Sequence, residues 1–416
     1  MKRQLALARD HGDGDDALIP GIPHDLALLC LARLPSRSQA KHRCVSVLWK
    51  QALESRTLSS LRLQLNILET HILLCFMSPS SCPQRSLSWW VIDPICVRYY
   101  PIMHASLPLN GNGFRSIAST TPGQVLFLEH FHFTRFDLFR RQNVWPCPPP
   151  LLTSRSGFAS AAFDGHVYVA GGYIYNDYTL VYIAGGYIHG GRAQRYQFNN
   201  NNRGPLRSVE RLDCTGMSKW ERLPDMQYGR AGAAAVAMDG KLYAIGGGQH
   251  EESECSGEVW DPKKQEWLLV PQLWPSQVFG HSTAKVVVVM GRLLAIKEPA
   301  NEIMVYEVAT GLWKSIGCVP LGTFCSADAV NSLFFCRLFG VGNELWVLVQ
   351  SELSDDLLDQ DHVDGDGIWI EQRELATQDV FFLACMPFSG GLLAWRRLPY
   401  CFDGSFRLLS SATIPI

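Results

Sequence analysis

The 416-residue sequence lacks most of the marks of enzymes, secreted proteins and nucleic-acid binders. Cysteine occurs 13 times, an odd number, and never as a C-x-x-C pair. Disulfide frameworks and zinc sites need close, paired spacings, so neither is expected. No N-x-Ser/Thr sequon occurs, so nothing points to a secreted glycoprotein. Charge of one sign is missing too: 37 Lys and Arg against 39 Asp and Glu leave a formal net charge of −2. That balance offers no electrostatic footprint for nucleic acid or an anionic membrane. The start, Met1 to Asp10, is basic, but its apolar patch from Leu5 to Ala8 is shorter than a secretory leader needs. Apolar runs such as Val286 to Met290 fall far short of the ~20 residues that span a bilayer. No phosphate-binding loop, G-x-S-x-G, H-E-x-x-H or dinucleotide fingerprint is found. His130 and His132 flank Phe131, and a surface or core role suits them better than metal binding. The expectation is a reduced, soluble protein of the cytoplasm or nucleus, without nucleic acid, membrane or cofactor.

What is present falls into two textures. Residues 1–16 end in a polar Gly/Asp stretch and are expected to be disordered. Pro20 and Pro23 forbid a helix before residue 24, and Asp25 is a good helix starter. Leu26, Leu28, Leu29, Cys30, Leu31 and Leu34 then recur at helical spacing until Pro35 ends the run. Ser36 or Ser38 can cap a second helix, with Cys44, Val45, Leu48, Trp49, Ala52 and Leu53 as its apolar stripe. The boundaries expected are a helical module at 17–56 and a linker at 57–68. A module this small is not stable alone. Either it packs on the rest of its own chain or a partner completes it.

From about residue 69 short β-type runs alternate with Gly, Pro and Asp. One unit is clear. Tyr228, Gly229 and Arg230 lead into the small-residue run Ala231 to Ala237, then the hairpin signal Asp239-Gly240, the run Leu242 to Ile245, and the pair Gly246-Gly247. Val259, Trp260, Asp261 and Pro262 open a third strand, and Trp267 falls in a fourth, where it can seal the space between neighbouring sheets. The same order recurs from Arg155 through Asp164-Gly165, Gly171-Gly172 and Val209 to Trp220. A weaker copy runs from Phe279 through Gly291 and Tyr306 to Trp313. Degenerate copies fit residues 71–108, 114–150 and 322–400. Two insertions interrupt the period, near 173–205 and 351–378. The first holds a near-exact duplication, Val167 to Ile174 and again Val181 to Ile188; one copy is expected to be extruded. The second carries Asp359, Asp361, Asp364 and Asp366, but its Gly and final Glu miss the positions of a calcium loop. A solvated loop is expected there.

These two textures resemble one family. Ile19-Pro20 or Ile22-Pro23, Asp25, Leu31, Arg33, Leu34, Pro35, Arg43, Cys44, Val45, Ser46, Trp49 and Leu53 fall in register on the F-box pattern. The departure is Val47-Leu48, where a basic residue is common before the Trp. Gly-Gly, then Tyr or Trp with Asp-Pro, then Trp, at a period close to ~50 residues, resembles the kelch repeat. The chain therefore resembles plant F-box/kelch-repeat proteins. That resemblance implies an all-β, six-bladed kelch-type β-propeller over 69–416, preceded by a small all-α F-box module.

It further implies a substrate-recognition subunit of an SCF-type cullin–RING E3 ubiquitin ligase, itself not an enzyme. The F-box would dock a Skp-family adaptor and, through it, the cullin and RING subunits. Ile19, Pro20, Leu26, Leu29, Leu31, Leu34, Pro35, Val45 and Trp49 are the candidate contacts. The propeller would hold a protein target at the mouth of its channel, where Arg155, Tyr228, Arg230, Phe279, His281 and Phe324 are expected to gather. An aromatic and Arg mixture of this kind is typical of binding hot spots. Bonding of Arg155 and Arg230 to neighbouring loop carbonyls is the alternative role. Other readings of the whole chain are a kelch scaffold acting outside the ligase and a metal-dependent kelch enzyme. Finally, Phe406 to Ile416 is strand-like and is expected to return beside Ile72 to Phe76, covering both open edges.

Overall fold

The structure is a computed structural model. It describes residues 17–65, 67–77, 87–95, 98–102, 116–121, 124–128, 133–137, 142–143, 149–163, 165–174, 204–213, 219–280, 284–324, 333–352, 380–388, 393–402 and 407–415. The chain divides into two units: Met1–Glu69 with Thr121–Gly123 and Pro415–Ile416, and Thr70–Thr120 with Gln124–Ile414. The expected disorder of 1–16, the second copy of the duplication and the acidic loop lie outside the described residues, as do His130 and His132.

In the first unit α1 (His24–Ala32) begins directly after Pro23. Asp25 lies in the first turn and does not cap the helix, so its carboxylate acts on the free N–H end as a charge. α2 (Ser36–His42) follows Pro35. One continuous second helix was expected; the chain instead breaks before Ser46, which caps α3 (Val47–Leu53) by accepting the Trp49 amide at 3.1 Å. The linker expected at 57–68 is largely α4 (Arg56–Gln64). Leu58 is buried with Leu31 and Leu53, and Leu61, Leu65 and Ile67 pack against that cluster. Arg62 locks the arrangement, donating to the carbonyls of Ala32 (3.1 Å), Leu34 (2.7 Å) and Ile67 (3.3 Å). It thereby satisfies a carbonyl that the end of α1 leaves without an intrahelical partner.

The second unit is built of antiparallel sheets. β1 (Thr70–Met77), β2 (Leu87–Asp93) and β3 (Arg98–Ile102) form a meander, and β4 (Ser116–Thr121), β5 (Gln124–Leu128), β6 (Phe133–Asp137) and β7 (Gln142–Asn143) the next sheet. After β8 (Arg155–Ser156) come β9 (Ala159–Phe163) and β10 (His166–Ala170). β11 (Tyr173–Ile174) turns back to pair with β8, while β12 (Val209–Asp213) and β13 (Trp220–Leu223) complete the sheet begun by β9 and β10. The first copy of the duplication thus supplies the blade strand. β14 (Ala234–Met238), β15 (Lys241–Ile245), β16 (Gly257–Asp261) and β17 (Glu266–Val270) follow, with the short α5 (Glu251–Glu254) between β15 and β16. α6 (Ser276–Phe279) leads into β18 (Val286–Val289), β19 (Arg292–Lys297), β20 (Glu302–Glu307) and β21 (Leu312–Cys318). α7 (Leu321–Phe324) precedes β22 (Leu333–Val341), β23 (Glu344–Glu352), β24 (Val380–Cys385) and β25 (Arg396–Phe402). Last comes β26 (Arg407–Pro415), which lies beside β1.

This is an all-β propeller of kelch type. Six blades were expected, and here the structure corrects the count: five four-stranded blades come each from one continuous stretch. Residues 70–102 supply only three strands, so the remaining sheet is a composite in the order β26-β1-β2-β3. The return of the C-terminal strand to β1 is as expected.

Side chains weld each sheet to the next. Leu126 and Leu128 of β5 pack with Val167 and Leu212, and Tyr168 and Val209 with Leu242 and Trp260. Tyr243 and Val259 pack with Leu293 and Met304, and Leu294 and Ile303 with Leu345 and Phe381. Ile72 and Leu74 of the composite sheet meet Phe339, Phe382 and Tyr400, and Trp89 meets Phe127 edge-on at 4.7 Å. The tryptophans of the fourth strands close the seams as expected. Trp220, Trp267 and Trp313 each donate their indole N–H to a carbonyl of the preceding connection, Pro149 (2.8 Å), Pro224 (3.0 Å) and Leu273 (2.8 Å). β9, β14 and β18, the first strands of their blades, run side by side and are largely half-buried, whereas β10, β15 and β19 behind them are almost wholly buried. Strands that are crowded yet still wet are those lining the central channel.

Candidate functional site

In the helical unit the candidate adaptor contacts fall into two groups. Leu31 is 1% exposed and belongs to the core with Ala27 and Leu53. A side chain so enclosed has no surface to offer a partner. Ile19, Leu34 and Trp49 pack against the same core, and the Trp49 indole donates to the Leu18 carbonyl at 2.6 Å. Leu29 is half-buried. Pro20, Leu26, Pro35 and Val45 face solvent. Ile22 and Val47 are exposed as well, Val47 by 71%, and neither was among the candidate contacts. Val47 had been weighed as a departure from a pattern, although an aliphatic residue beginning a helix next to a capping Ser is a legible surface signal.

In the propeller the residues expected at one mouth differ in how far they reach solvent. Arg155 and Arg230 are fully buried at equivalent places in successive blades. Arg155 Nη1 donates to the carbonyls of Gly171 (3.0 Å) and Ser208 (2.8 Å), Nη2 donates to Ser208 Oγ (3.0 Å), and Nη2 pairs with Glu210. Arg230 repeats the scheme: Nη1 to the carbonyls of Gly246 (2.8 Å) and Ser256 (3.2 Å), Nη2 to Ser256 Oγ (2.8 Å), and Nε to Glu258 (3.1 Å). The carboxylates also accept from the incoming loop, Glu210 from the amides of Leu152 and Thr153, Glu258 from those of Gln227 and Tyr228. Burial lowers the pKa of both arginines, and the paired glutamates offset part of that. Each guanidinium has its donors occupied within the blade, so the two arginines staple loop to sheet and present nothing to a target. Ser208, Glu210, Ser256 and Glu258 are the functional partners missed by sequence reasoning. The signal was there, since Ser-x-Glu opens the third strand in both repeats.

Tyr228 is half-buried. Phe279 is 2% exposed, stacked on Trp274 with centroids 3.8 Å apart and edge-on to Trp313 at 5.0 Å. His281 lies outside the described residues, and Phe324 ends α7. What the β15–β16 connection shows to solvent is Gln249, His250, Glu251 and Glu252. Arg230 holds that connection from below through the Ser253 carbonyl at 2.8 Å.

Comparison with known proteins adds to this geometry. Residues 229–273, the stretch holding Arg230, β14 to β17 and Glu258, match the kelch motif. Over most of its length the chain is similar to F-box/kelch-repeat proteins. It is 23% identical to F-box/kelch-repeat protein At1g16250 of Arabidopsis thaliana over 80% of this chain and 83% of that one. It is 24% identical to F-box/kelch-repeat protein At1g67480 of the same plant, over 82% of this chain and 74% of that one. A shorter match, 39% identical to the putative F-box/kelch-repeat protein At4g35120, covers 28% of this chain and 29% of that one. The likeness to such proteins therefore runs through most of the chain, including repeats whose Gly-Gly and Trp signals are degenerate.

Proposed function

We propose that the chain is a substrate-recognition subunit of an SCF-type cullin–RING ubiquitin ligase. Residues 17–69 dock a Skp-family adaptor, and the propeller holds a protein target in the cytoplasm or nucleus. The mechanism is proximity. A target held on the loop faces of the propeller is brought to a ubiquitin-charged enzyme carried by the cullin, which raises effective concentration without chemistry by this chain.

The observation that carries the reading is the solvent-facing aliphatic set Leu26, Val45 and Val47, on a module whose own core is only a handful of side chains. Exposed apolar residues concentrated in so small a unit suit burial against a partner. The likeness to F-box/kelch-repeat proteins supports the same assignment. The test is capture of a purified Skp-family adaptor by the full chain. Leu26→Asp with Val47→Asp puts two charges into the apolar contact and should abolish capture while the melting temperature holds. Undiminished capture would overturn the assignment. Leu31→Asp would be uninformative, because that side chain is in the core.

A further inference from the structure

The helical unit is charged in a way the rest of the chain is not. From Leu26 to Leu53 the sequence holds five Lys and Arg and no Asp or Glu, in a chain whose net charge is −2. Arg43 is paired with Glu54 at 3.8 Å. Arg33, Lys41 and Lys50 are exposed, and among the described residues none of the three has an ion pair.

Their places follow from the elements that carry them. On α1, Ala27 and Leu31 face the core, so Leu26, Leu29, Cys30 and Arg33 share the outward side at spacings of three and four. Arg33 ends that stripe and donates Nη1 to the Leu29 carbonyl at 3.0 Å. On α3, Val47 and Lys50 stand one turn apart and both are exposed, whereas Leu53 is buried. Between α2 and α3 the Cys44 amide donates to the Lys41 carbonyl at 3.2 Å and the Val45 amide to that of His42 at 3.1 Å, a tight turn that keeps Lys41 near Val45. The exposed aliphatics Leu26, Val45 and Val47 therefore each share an element or a turn with a cation. Asp25 adjoins Leu26 but lies at the far end of α1, ~12 Å from Arg33.

We propose that this unit recognises an acidic protein surface: an apolar strip on the partner covers Leu26, Val45 and Val47, and carboxylates beside that strip meet Arg33, Lys41 and Lys50. The proposal rests on the adaptor-docking reading and adds to it the chemistry of the partner. An apolar centre with a charged rim is the anatomy of a protein–protein contact, and a rim of one sign selects a partner of the other. Anionic lipid also carries negative charge, but three aliphatics spread over two short helices and a turn offer little apolar area to sink into it. The cations act chiefly on the rate of encounter. Exposed charges steer association and are screened by salt, while the buried apolar contact sets how long the complex lasts.

The test is kinetic capture of the full chain on an immobilised, purified Skp-family adaptor at about 0.05 M and about 0.5 M salt. Association should slow about tenfold or more at the higher salt, with dissociation little changed. Lys41→Gln with Lys50→Gln should slow association at low salt by about tenfold and flatten its salt dependence, while the melting temperature holds. Lys41→Arg with Lys50→Arg should behave as the parent. Association indifferent to salt, a double Gln variant as fast as the parent, or equally charge-dependent capture of the chain by phosphatidylserine vesicles would each overturn the proposal and leave adaptor docking standing. Failure of the parent to be captured at either salt would overturn the docking reading itself, and this proposal with it.

Discussion

The amide of Gly172 donates to the carbonyl of Arg230 at 2.6 Å, so the glycine pair of one blade seats the arginine loop of the next. Gly171 lies closer still: its φ is +69°, and a β-carbon there would sit 2.0 Å from the same oxygen. Arg230 is thus held twice, its backbone by the preceding blade and its side chain by its own.

Gly171→Ala should consequently cost about 3 kcal/mol or more, since backbone must move to admit the methyl group. Gly240→Ala is the matched control, with φ of +70° and open space around it. Strain alone should cost it about 1 kcal/mol. Urea unfolding of the two variants measures the difference, and equal losses would show that the close approach contributes nothing.

Removing one member of the buried Arg230–Glu258 pair leaves the other uncompensated at zero exposure. Arg230→Met and Glu258→Met should each lower stability by about 3–5 kcal/mol. The double variant should lose far less than the sum of the two. A double-mutant cycle from denaturant curves gives the coupling, and simple additivity would contradict the staple described above.

Deleting residues 407–416 strips the composite sheet of β26 and leaves β1 with an unpaired edge. The truncated protein should aggregate on purification or melt at a clearly lower temperature. A soluble variant with the parent's melting curve would exclude a closing role for this strand.

Cysteine chemistry offers a fourth check. Cys30, Cys44 and Cys318 are exposed, whereas burial, aided by Glu344, pushes the Cys385 thiol up to about 12. At pH 8 iodoacetamide should label the first three within minutes and leave Cys385 untouched until the protein is unfolded. Mass spectrometry of the digested protein reads the order directly.

Much of the propeller was legible because its signals are local. Asp239-Gly240 forms its turn with φ of +50° and +70°, and Trp220, Trp267 and Trp313 fall on the fourth strands. α4 fell in the expected linker because Leu58, Leu61 and Leu65 gain their meaning only from contact with the core of α1. The arginine sites misled for a different reason. Their position at the opening of a repeat is visible in sequence, but Glu210 is 55 residues from Arg155, across an insertion, and only folding brings it close enough to take up the guanidinium.

The composite sheet also sets the order in which this chain can be finished. Tyr400 donates its hydroxyl to the carbonyl of Asp93, 307 residues away, and β26 arrives later still. As the chain leaves the ribosome, β1 to β3 are made first and completed last, so the early part of the nascent propeller carries an open edge throughout synthesis. Contacts of such sequence separation form slowly, and exposed edges attract other chains. Any product released early keeps an unpaired β1, a feature that chaperones and proteases can tell from the closed ring.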